Sequence, residues 1–447
     1  MKSILLVCNY FAPENSIGSV RPTKMAKFLK AEGYDVTVIA EKKDYDVTDP
    51  LLVRDAEGLN INYIKPPWYF APMHKFYKKM QSKSNSKIST IDQKTGNRAE
   101  QERSIFHVFL RFFGLISNIG YPILNYKHRI LAKKAMRKFK NQKYDVIFTS
   151  FPEQLALHFG LAYKKKHPET QWIMDLRDPL SGSSVFPSAK ASYINSYDKK
   201  IEQLVYENSD KIISVTKCMN EMIPAQYAAK KMFLHNGYDI DDKQSGTKQA
   251  RFTFYLTGST YGGKMDYSVV FRIIRELSLE GLAELDKIKF VYTGYESDFS
   301  IIKGHAVQYE LEGLISFRGR VSRLESMALQ ESSHLLLVAN FDYEDRPVGV
   351  RPGKMYEYML AEKPIISISN GSIVNCELTQ VINECNLGFA FEYSQQEKHY
   401  PMLKDYILDQ YNAFVETGSV AYSPNREEVE KYDYRNMVKK VVEVIES

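Results

Sequence analysis

Residues 3–40 read SILLVCNYFAPENSIGSVRPTKMAKFLKAEGYDVTVIA. Ser3–Cys8 is a continuous apolar run, suited to a strand buried on both faces. After a loop, Arg21–Glu32 places Met25, Phe28 and Leu29 at helical spacing, with Pro22 near the predicted start and Gly33 as the stop. Asp35–Ala40 is a second strand. Strand, helix and strand in that order predict a parallel pair, and so an α/β sheet.

The same alternation extends along the chain. Strands are predicted at 144–150, 171–176, 211–216 and 231–235, with helices over Gln154–Lys166 and near Tyr193–Glu207. Asn236–Gln249 is polar, holds turn residues and has no apolar period, which reads as a linker. A second series has strands at 252–258, 287–294, 315–319, 334–340, 364–369 and 388–393, with helices between them. The predicted architecture is therefore two doubly wound, Rossmann-like domains facing a central cleft: residues 1–240, with an insertion at 66–126, and residues 250–425. Residues 426–447 follow, with Met437, Val441, Val442 and Ile445 on one helical face.

A chain of 447 residues suits two domains, and 44% hydrophobic with 26% charged residues excludes a mainly disordered, collagen-like or coiled-coil protein. The four cysteines are scattered, which predicts reduced thiols, no disulfide framework and no zinc site. The first residues run into Pro13 and Glu14 with no small-residue cleavage site, so they read as a buried strand and not as a signal peptide. No apolar run is long enough to span a bilayer.

The net charge of +6 is divided unevenly. Residues 1–240 hold 37 Lys+Arg against 23 Asp+Glu, and residues 241–447 hold 23 against 31. Between Lys65 and Lys143 there are 18 basic residues and only three acids, Asp92, Glu100 and Glu102. This points to an anionic partner. Gln81–Arg103 lacks a hydrophobic period and reads as a mobile loop. Ile105–Leu124 is aromatic-rich, and Tyr126–Lys143 is a basic helix. An aromatic segment beside a basic helix suits docking on an anionic membrane surface through 66–143. The competing reading makes the aromatic segment core and the helix a solvated face. Nucleic acid is disfavoured, because no binding motif accompanies the charge.

Four segments carry the chemistry. The loop Asn9–Arg21 lacks a dinucleotide fingerprint and a Walker lysine, which disfavours NAD and P-loop ATP, but Gly18 and Arg21 at a helix start form a usable anion site. Asp175, Arg177 and Asp178 stand at the carboxyl end of a strand, where two carboxylates flanking an arginine could position sugar hydroxyls or move protons. Gly258–Lys264 (GSTYGGK) offers small residues, including Ser259, for close approach of a phosphate, and Lys264 for charge. In Arg351–Pro364 (RPGKMYEYMLAEKP), Pro352 and Gly353 open a helix whose N–H groups would face the cleft. There Arg351 and Lys354 can reach a diphosphate, and Glu357 can accept two hydrogen bonds from a ribose diol. Each segment also has a bland reading as a turn or a surface ion pair.

With these motifs in this order, the chain resembles the family 4 retaining glycosyltransferases of the GT-B fold, in their bacterial surface-polysaccharide branch. The resemblance rests on NYFAPENSIGSVRPTKMAKFLKAEGYDVTVIA, DVIFTSFPEQLALHFGL, WIMDLRDP, LHNGYD, TGSTYGGK and RPGKMYEYMLAEKPII. It implies transfer of a sugar, with retention, from a UDP- or GDP-linked donor to a lipid-linked or glycan acceptor in capsule, O-antigen or exopolysaccharide synthesis. Glu357 matches the ribose-binding glutamate, Lys264 the basic residue facing the leaving diphosphate, and Gly18 the first-domain loop facing donor and acceptor. Asp175, Arg177 and Asp178 match a cleft motif of that branch. The resemblance also implies a final helix crossing back to the first domain. It further implies no cofactor and no metal, and a place on the cytoplasmic face of the inner leaflet. Two departures stand out. Gly349 occupies the position of the family's first acid, with Glu344 and Asp345 nearby, and Glu362 replaces a common glycine. The missing acid supports one alternative, a non-catalytic sugar-nucleotide-binding or scaffold subunit. A sugar-nucleotide epimerase or hydrolase of the same architecture is a weaker one.

Overall fold

A computed structural model describes residues 1–43, 47–70, 125–152, 154–179, 192–342 and 351–447. The predicted loop at 81–103, the aromatic segment at 105–124 and the region of Glu344, Asp345 and Gly349 lie outside them. The first half contains β1 (Ser3–Cys8), α1 (Ile17–Ala31), β2 (Asp35–Glu41), α2 (Pro50–Asp55), β3 (Asn60–Ile64), α3 (125–139), β4 (Val146–Phe151), α4 (Gln154–Lys166), β5 (Gln171–Leu176), α5 (Ser192–Asn208), β6 (Lys211–Ser214), α6 (Lys217–Met222) and β7 (Lys231–Phe233). The second contains β8 (Phe252–Thr257), α7 (Ser268–Leu279), β9 (Ile288–Thr293), α8 (Glu296–Gln308), β10 (Ile315–Phe317), α9 (Arg323–Ser332), β11 (Leu335–Phe341), α10 (Lys354–Ala361), β12 (Ile365–Asn370), α11 (Glu377–Glu384), β13 (Gly388–Glu392) and α12 (Gln396–Thr417). Two further helices, α13 (Arg426–Glu430) and α14 (Tyr434–Glu446), close the chain.

Both sheets are parallel throughout. The first has the order β3-β2-β1-β4-β5-β6-β7, and the second β10-β9-β8-β11-β12-β13. Strand order reverses beside β1 and beside β8, so each sheet has a crevice at its carboxyl edge. Alternate residues serve the two faces. Ile4, Leu6, Val36 and Val38 pack with Met25 and Leu29 of α1 on one side of the first sheet. Leu5, Val7 and Ile39 pack with Leu131, Ala135 and Phe139 of α3 on the other. The continuous apolar strands are thus buried on both faces, which is why they read as unbroken runs.

The final helix returns to the first sheet. Tyr434, Met437, Val438, Val441 and Ile445 share the core of β1 and α1. The architecture of two facing parallel sheets with a returning C-terminal helix agrees with the sequence reading.

The sequence pattern predicts a start of α1 at Arg21, but the helix begins at Ile17, with Pro22 inside it. A proline within a helix cannot donate to the carbonyl four residues back, which here belongs to Gly18. Arg177 Nη1 donates to that carbonyl instead, so the helix tolerates its proline.

The two halves are joined by two segments that run together. Tyr238 N–H donates to the Tyr432 carbonyl at 2.9 Å, and Tyr434 N–H donates to the Tyr238 carbonyl at 2.9 Å. Gly237 lies so close to this pairing that a Cβ would stand 2.2 Å from the Tyr432 oxygen. Just beyond, Asp239 and Asp242 bind to the first half. The Lys24 ammonium, fully buried, donates to Asp239 and Asp242 at 2.7 Å each and to Asp55. Lys27 adds bonds to Asp239 and Asp55, and Arg54 to Asp55 and Asp242. Burial pushes the Asp239 carboxyl up, but Lys24 and Lys27 outweigh it and hold it down to about 2. A crevice of about 390 Å³ beside Tyr238, Tyr422, Asp433 and Arg435 follows this ribbon and contains none of the predicted site residues.

Candidate functional site

The carboxyl edges of β8, β9 and β11 bring two of the predicted segments together. The loop after β8 turns through left-handed residues at Gly258 (φ 89°), Tyr261 (53°), Gly262 (67°) and Gly263 (88°). Its shape is set by Asp298 in the first turn of α8. Asp298 Oδ1 accepts from Thr260 N–H at 2.8 Å, Thr260 Oγ1 at 2.7 Å and Ser259 Oγ at 3.2 Å. Ser259 Oγ in turn accepts the Tyr261 N–H at 3.0 Å. Lys264 holds its ammonium 5.5 Å from the centre of the Phe341 ring.

Lys354, the first residue of α10, reaches back under this loop. Its ammonium donates to the Thr257 carbonyl, and a Cβ on Gly258 would stand 3.6 Å from it. Gly258 is left-handed, a conformation that glycine adopts without strain, while a Cβ there would meet the Lys354 ammonium only at ordinary contact distance. Burial pushes Lys354 down from its ordinary 10.5 to about 8, against a smaller opposing pull from Asp298. A half-buried ammonium bonded to a carbonyl at a helix N-terminus is suited to receive an anion.

Glu357 lies one turn into α10. Its Oε1 accepts from Arg323 Nε at 2.7 Å and its Oε2 from Gln330 Nε2 at 3.4 Å. A carboxylate accepts about four hydrogen bonds, so two positions remain for a diol. Arg323 was not singled out in the sequence. It also reaches Asp242 at 3.2 Å and Asp49 of the first half at 3.4 Å.

The first half meets this edge at the start of α1. A Cβ on Gly353 would stand 2.9 Å from the Ile17 side chain, so Gly353 and the turn before Gly18 face each other directly. Arg177 Nε donates to the Phe151 carbonyl at 2.8 Å while Nη1 takes the Gly18 carbonyl, tying β4, β5 and α1 together at this edge. Asp178 is exposed. Burial pushes the Tyr261 phenol up, and the carboxylates of Asp178 and Asp298 push it further.

Three sequence readings change here. Asp175 does not offer a carboxylate to the cleft. It is fully buried, binds Arg21 through Nε at 3.1 Å and Nη2 at 2.8 Å, and accepts from Ser150 Oγ at 2.8 Å. Arg21 likewise is no anion site: it spends its other donors on the carbonyls of Leu234 and His235, at 3.0 and 2.6 Å. Arg351 turns away from a diphosphate position. Its side chain is 3% exposed and pairs with Glu377 at 2.9 Å, over the Phe233 ring. Glu377 then accepts from the N–H groups of Lys217 at 3.1 Å and Cys218 at 2.8 Å, at the start of α6. Glu377 of the second half is thus bound to the first half. No local signal announces this contact, because the partners lie about 160 positions apart.

Among the described residues, the carboxylates of Asp55, Asp239 and Asp242 are grouped closely enough to hold a cation. Lys24 already lies within bonding distance of all three. The basic helix α3 buries Leu131, Ala135 and Phe139 in the core and exposes Arg129, Lys133, Arg137 and Lys138, with Lys140 exposed just after it. Tyr126 in its first turn is 58% exposed, and Trp68 is 83% exposed. No helix of the described residues is long and apolar enough to cross a membrane.

No model of a known protein family matches the sequence. No curated protein matches it either. Solved structures match along its whole length. Sucrose-phosphate synthase from Thermosynechococcus elongatus aligns with a TM-score of 0.58 at 12% identity, over 99% of this chain and 98% of that one. The lipopolysaccharide outer core galactosyltransferase WaaB, in its apo form, aligns at 0.55 and 12% identity, over 99% of both chains. The catalytic domain of starch synthase IV from Arabidopsis thaliana, bound to ADP and acarbose, aligns at 0.54 and 11% identity, over 100% and 98%. At such identities the likeness establishes the fold, which is GT-B.

Proposed function

We propose that the protein is a glycosyltransferase that moves a sugar, with retention at the anomeric carbon, from a UDP- or GDP-linked donor to a lipid-linked or glycan acceptor. The observation that carries this reading is the convergence of Lys354, Glu357 and the loop Gly258–Lys264 at the start of α10, opposite Gly18. The second half, 250–425, would take the donor. Glu357 would accept the ribose hydroxyls, while Lys354, Lys264 and the α10 N-terminus receive the diphosphate. As the anomeric C–O bond breaks, its electron pair passes to the diphosphate. The acceptor oxygen forms the new bond and gives its proton to a donor phosphate oxygen. These cations and N–H groups would stabilise the leaving group without a metal.

The acceptor would lie against the first half, 1–240, near Arg177 and Asp178. The exposed rings of Trp68 and Tyr126 and the basic face of α3 support a place on an anionic leaflet, with the carrier lipid held nearby. A role in capsule, O-antigen or exopolysaccharide synthesis follows from that acceptor class.

Calorimetric titration of UDP, GDP, ADP and CMP into wild type and Glu357→Ala tests the donor half. The expected result is selective binding of one diphosphate, lost in the variant. Binding of none of them overturns the reading. Binding without turnover over any acceptor pool would instead favour the non-catalytic subunit.

A further inference from the structure

The Arg323 guanidinium touches both the second half's candidate ribose acceptor and carboxylates of the first half and its linker. Nε donates to Glu357 at 2.7 Å, Nη2 contacts Asp242 at 3.2 Å and Nη1 contacts Asp49 at 3.4 Å. Each arm of the fork is used, a geometry that lysine cannot reproduce. The three carboxylates differ in how they are held. Asp242 is fixed by Lys24 and Arg54 in the buried cluster at the start of the linker. Asp49 caps α2, its Oδ1 accepting from Leu51 N–H at 2.9 Å, and is 1% exposed. Glu357 lies on α10, at the candidate ligand edge.

We infer that Arg323 is a positioning residue that couples nucleotide occupancy at Glu357 to the seating of the two halves on each other. This rests on the ribose role proposed for Glu357. The argument is one of shared orientation. Arg323 fixes the carboxylate that a diol would meet, and Arg323 is itself aimed by Asp49 and Asp242, which belong to the first half and its linker. Any rotation of the halves moves Asp49 relative to α9 and so turns the guanidinium that orients Glu357. By reciprocity, a ligand that fixes Glu357 favours the seating in which Arg323 also reaches Asp49. A first-half residue with no path to the nucleotide except through Arg323 therefore changes nucleotide affinity.

The test is a double-mutant cycle on nucleotide affinity. Wild type, Asp49→Asn, Arg323→Gln and the double variant are each titrated with UDP, GDP and ADP. Asparagine keeps the oxygen that caps α2, and Asp49→Ser is a second capping variant should the first misfold. Asp49→Asn is expected to weaken binding at least threefold, and to have no further effect in the Arg323→Gln background. Arg323→Lys retains the charge but not the fork, and is expected to bind like Arg323→Gln and not like wild type. Normal binding by Asp49→Asn, or an undiminished Asp49 effect without Arg323, overturns the coupling while leaving the ribose site intact. If wild type binds no nucleotide, the ribose reading itself falls, and the coupling with it.

Discussion

Arg177 Nη1 donates to the Gly18 carbonyl, the group that Pro22 leaves without its helical partner. An arginine at the end of β5 thereby completes the first turns of α1. The sequence presented the two residues as separate site candidates, and the fold joins them through a proline.

This pairing makes a stability prediction. Arg177→Ala is expected to cost about 1.5–3 kcal/mol, the value of a hydrogen bond from a charged donor, here to a half-buried carbonyl. In a Pro22→Ala background, residue 22 regains an N–H for Gly18, and the Arg177→Ala cost is expected to fall by about 1 kcal/mol. Urea unfolding of the four proteins checks this, and simple additivity would contradict it.

Lys354 makes a pH prediction with opposite signs for folding and binding. Its ammonium is pushed down to about 8 in the folded protein. Between that pH and the ordinary value of 10.5, the unfolded chain holds more protons. Stability from this group therefore rises with pH across the window, by up to about 1.4 kcal/mol per unit. Diphosphate affinity falls in the same window, by as much as about tenfold per unit, as the cation is lost. Titrations with UDP and GDP from pH 7 to 9.5 should show this slope in wild type and not in Lys354→Met.

Asp298 organises the loop after β8 through one oxygen that accepts from Thr260 and Ser259. Asp298→Ala is expected to cost about 2–3 kcal/mol, since the buried Thr260 N–H is left unpaired. Asp298→Asn keeps an acceptor and should cost less. Both remove the charge that holds Lys354 up, so the midpoint of the binding–pH curve should move below that of wild type. An unmoved midpoint would show that Asp298 does not act on Lys354.

Glu377→Gln leaves the buried Arg351 guanidinium without its carboxylate and weakens the contact with α6. A loss of about 3 kcal/mol is expected on breaking a buried pair from one side. Differential scanning calorimetry should show a lowered and broadened transition. A wild-type profile would mean that the halves are held elsewhere.

Membrane attachment has its own test. Trp68→Ala with Tyr126→Ala, and separately Lys133→Glu with Arg137→Glu, are expected to reduce sedimentation with vesicles of anionic phospholipid. Only the charge variant's residual binding should lose its dependence on salt. Retention of full binding by both would remove the support these residues give.

Much of the fold was legible because its strands are buried on both faces. QWIMDL at 171–176 is β5 residue for residue, the run at 252–258 holds β8, and that at 364–369 covers β12 except for Asn370. The edge strand β3, NINYI, was not: it is only half-buried, so its polar residues conceal it. The site was legible where helix starts and glycines carry local signals, at Gly258, Gly353, Lys354 and Glu357. It was not legible where charges meet across the fold. Arg323 finds Asp49 over 274 positions and Asp175 finds Arg21 over 154, and nothing in either neighbourhood names the partner. The place of Asp175 at a strand end reads as a cleft position. The nearby arginine on α1 draws it inward instead.

The ribbon formed by Tyr238 and residues 432–434 also bears on how such a protein can be recombined. Because the two crossings bond to each other and Gly237 leaves no room at the Tyr432 carbonyl, neither can be exchanged alone. A chimaera that takes its second half from another sequence must therefore bring both crossings from one parent, or redesign them as a pair. Splicing after Asp242 and before α13 keeps the Lys24 cluster and the ribbon intact, and so marks the seams at which halves from different parents could be joined.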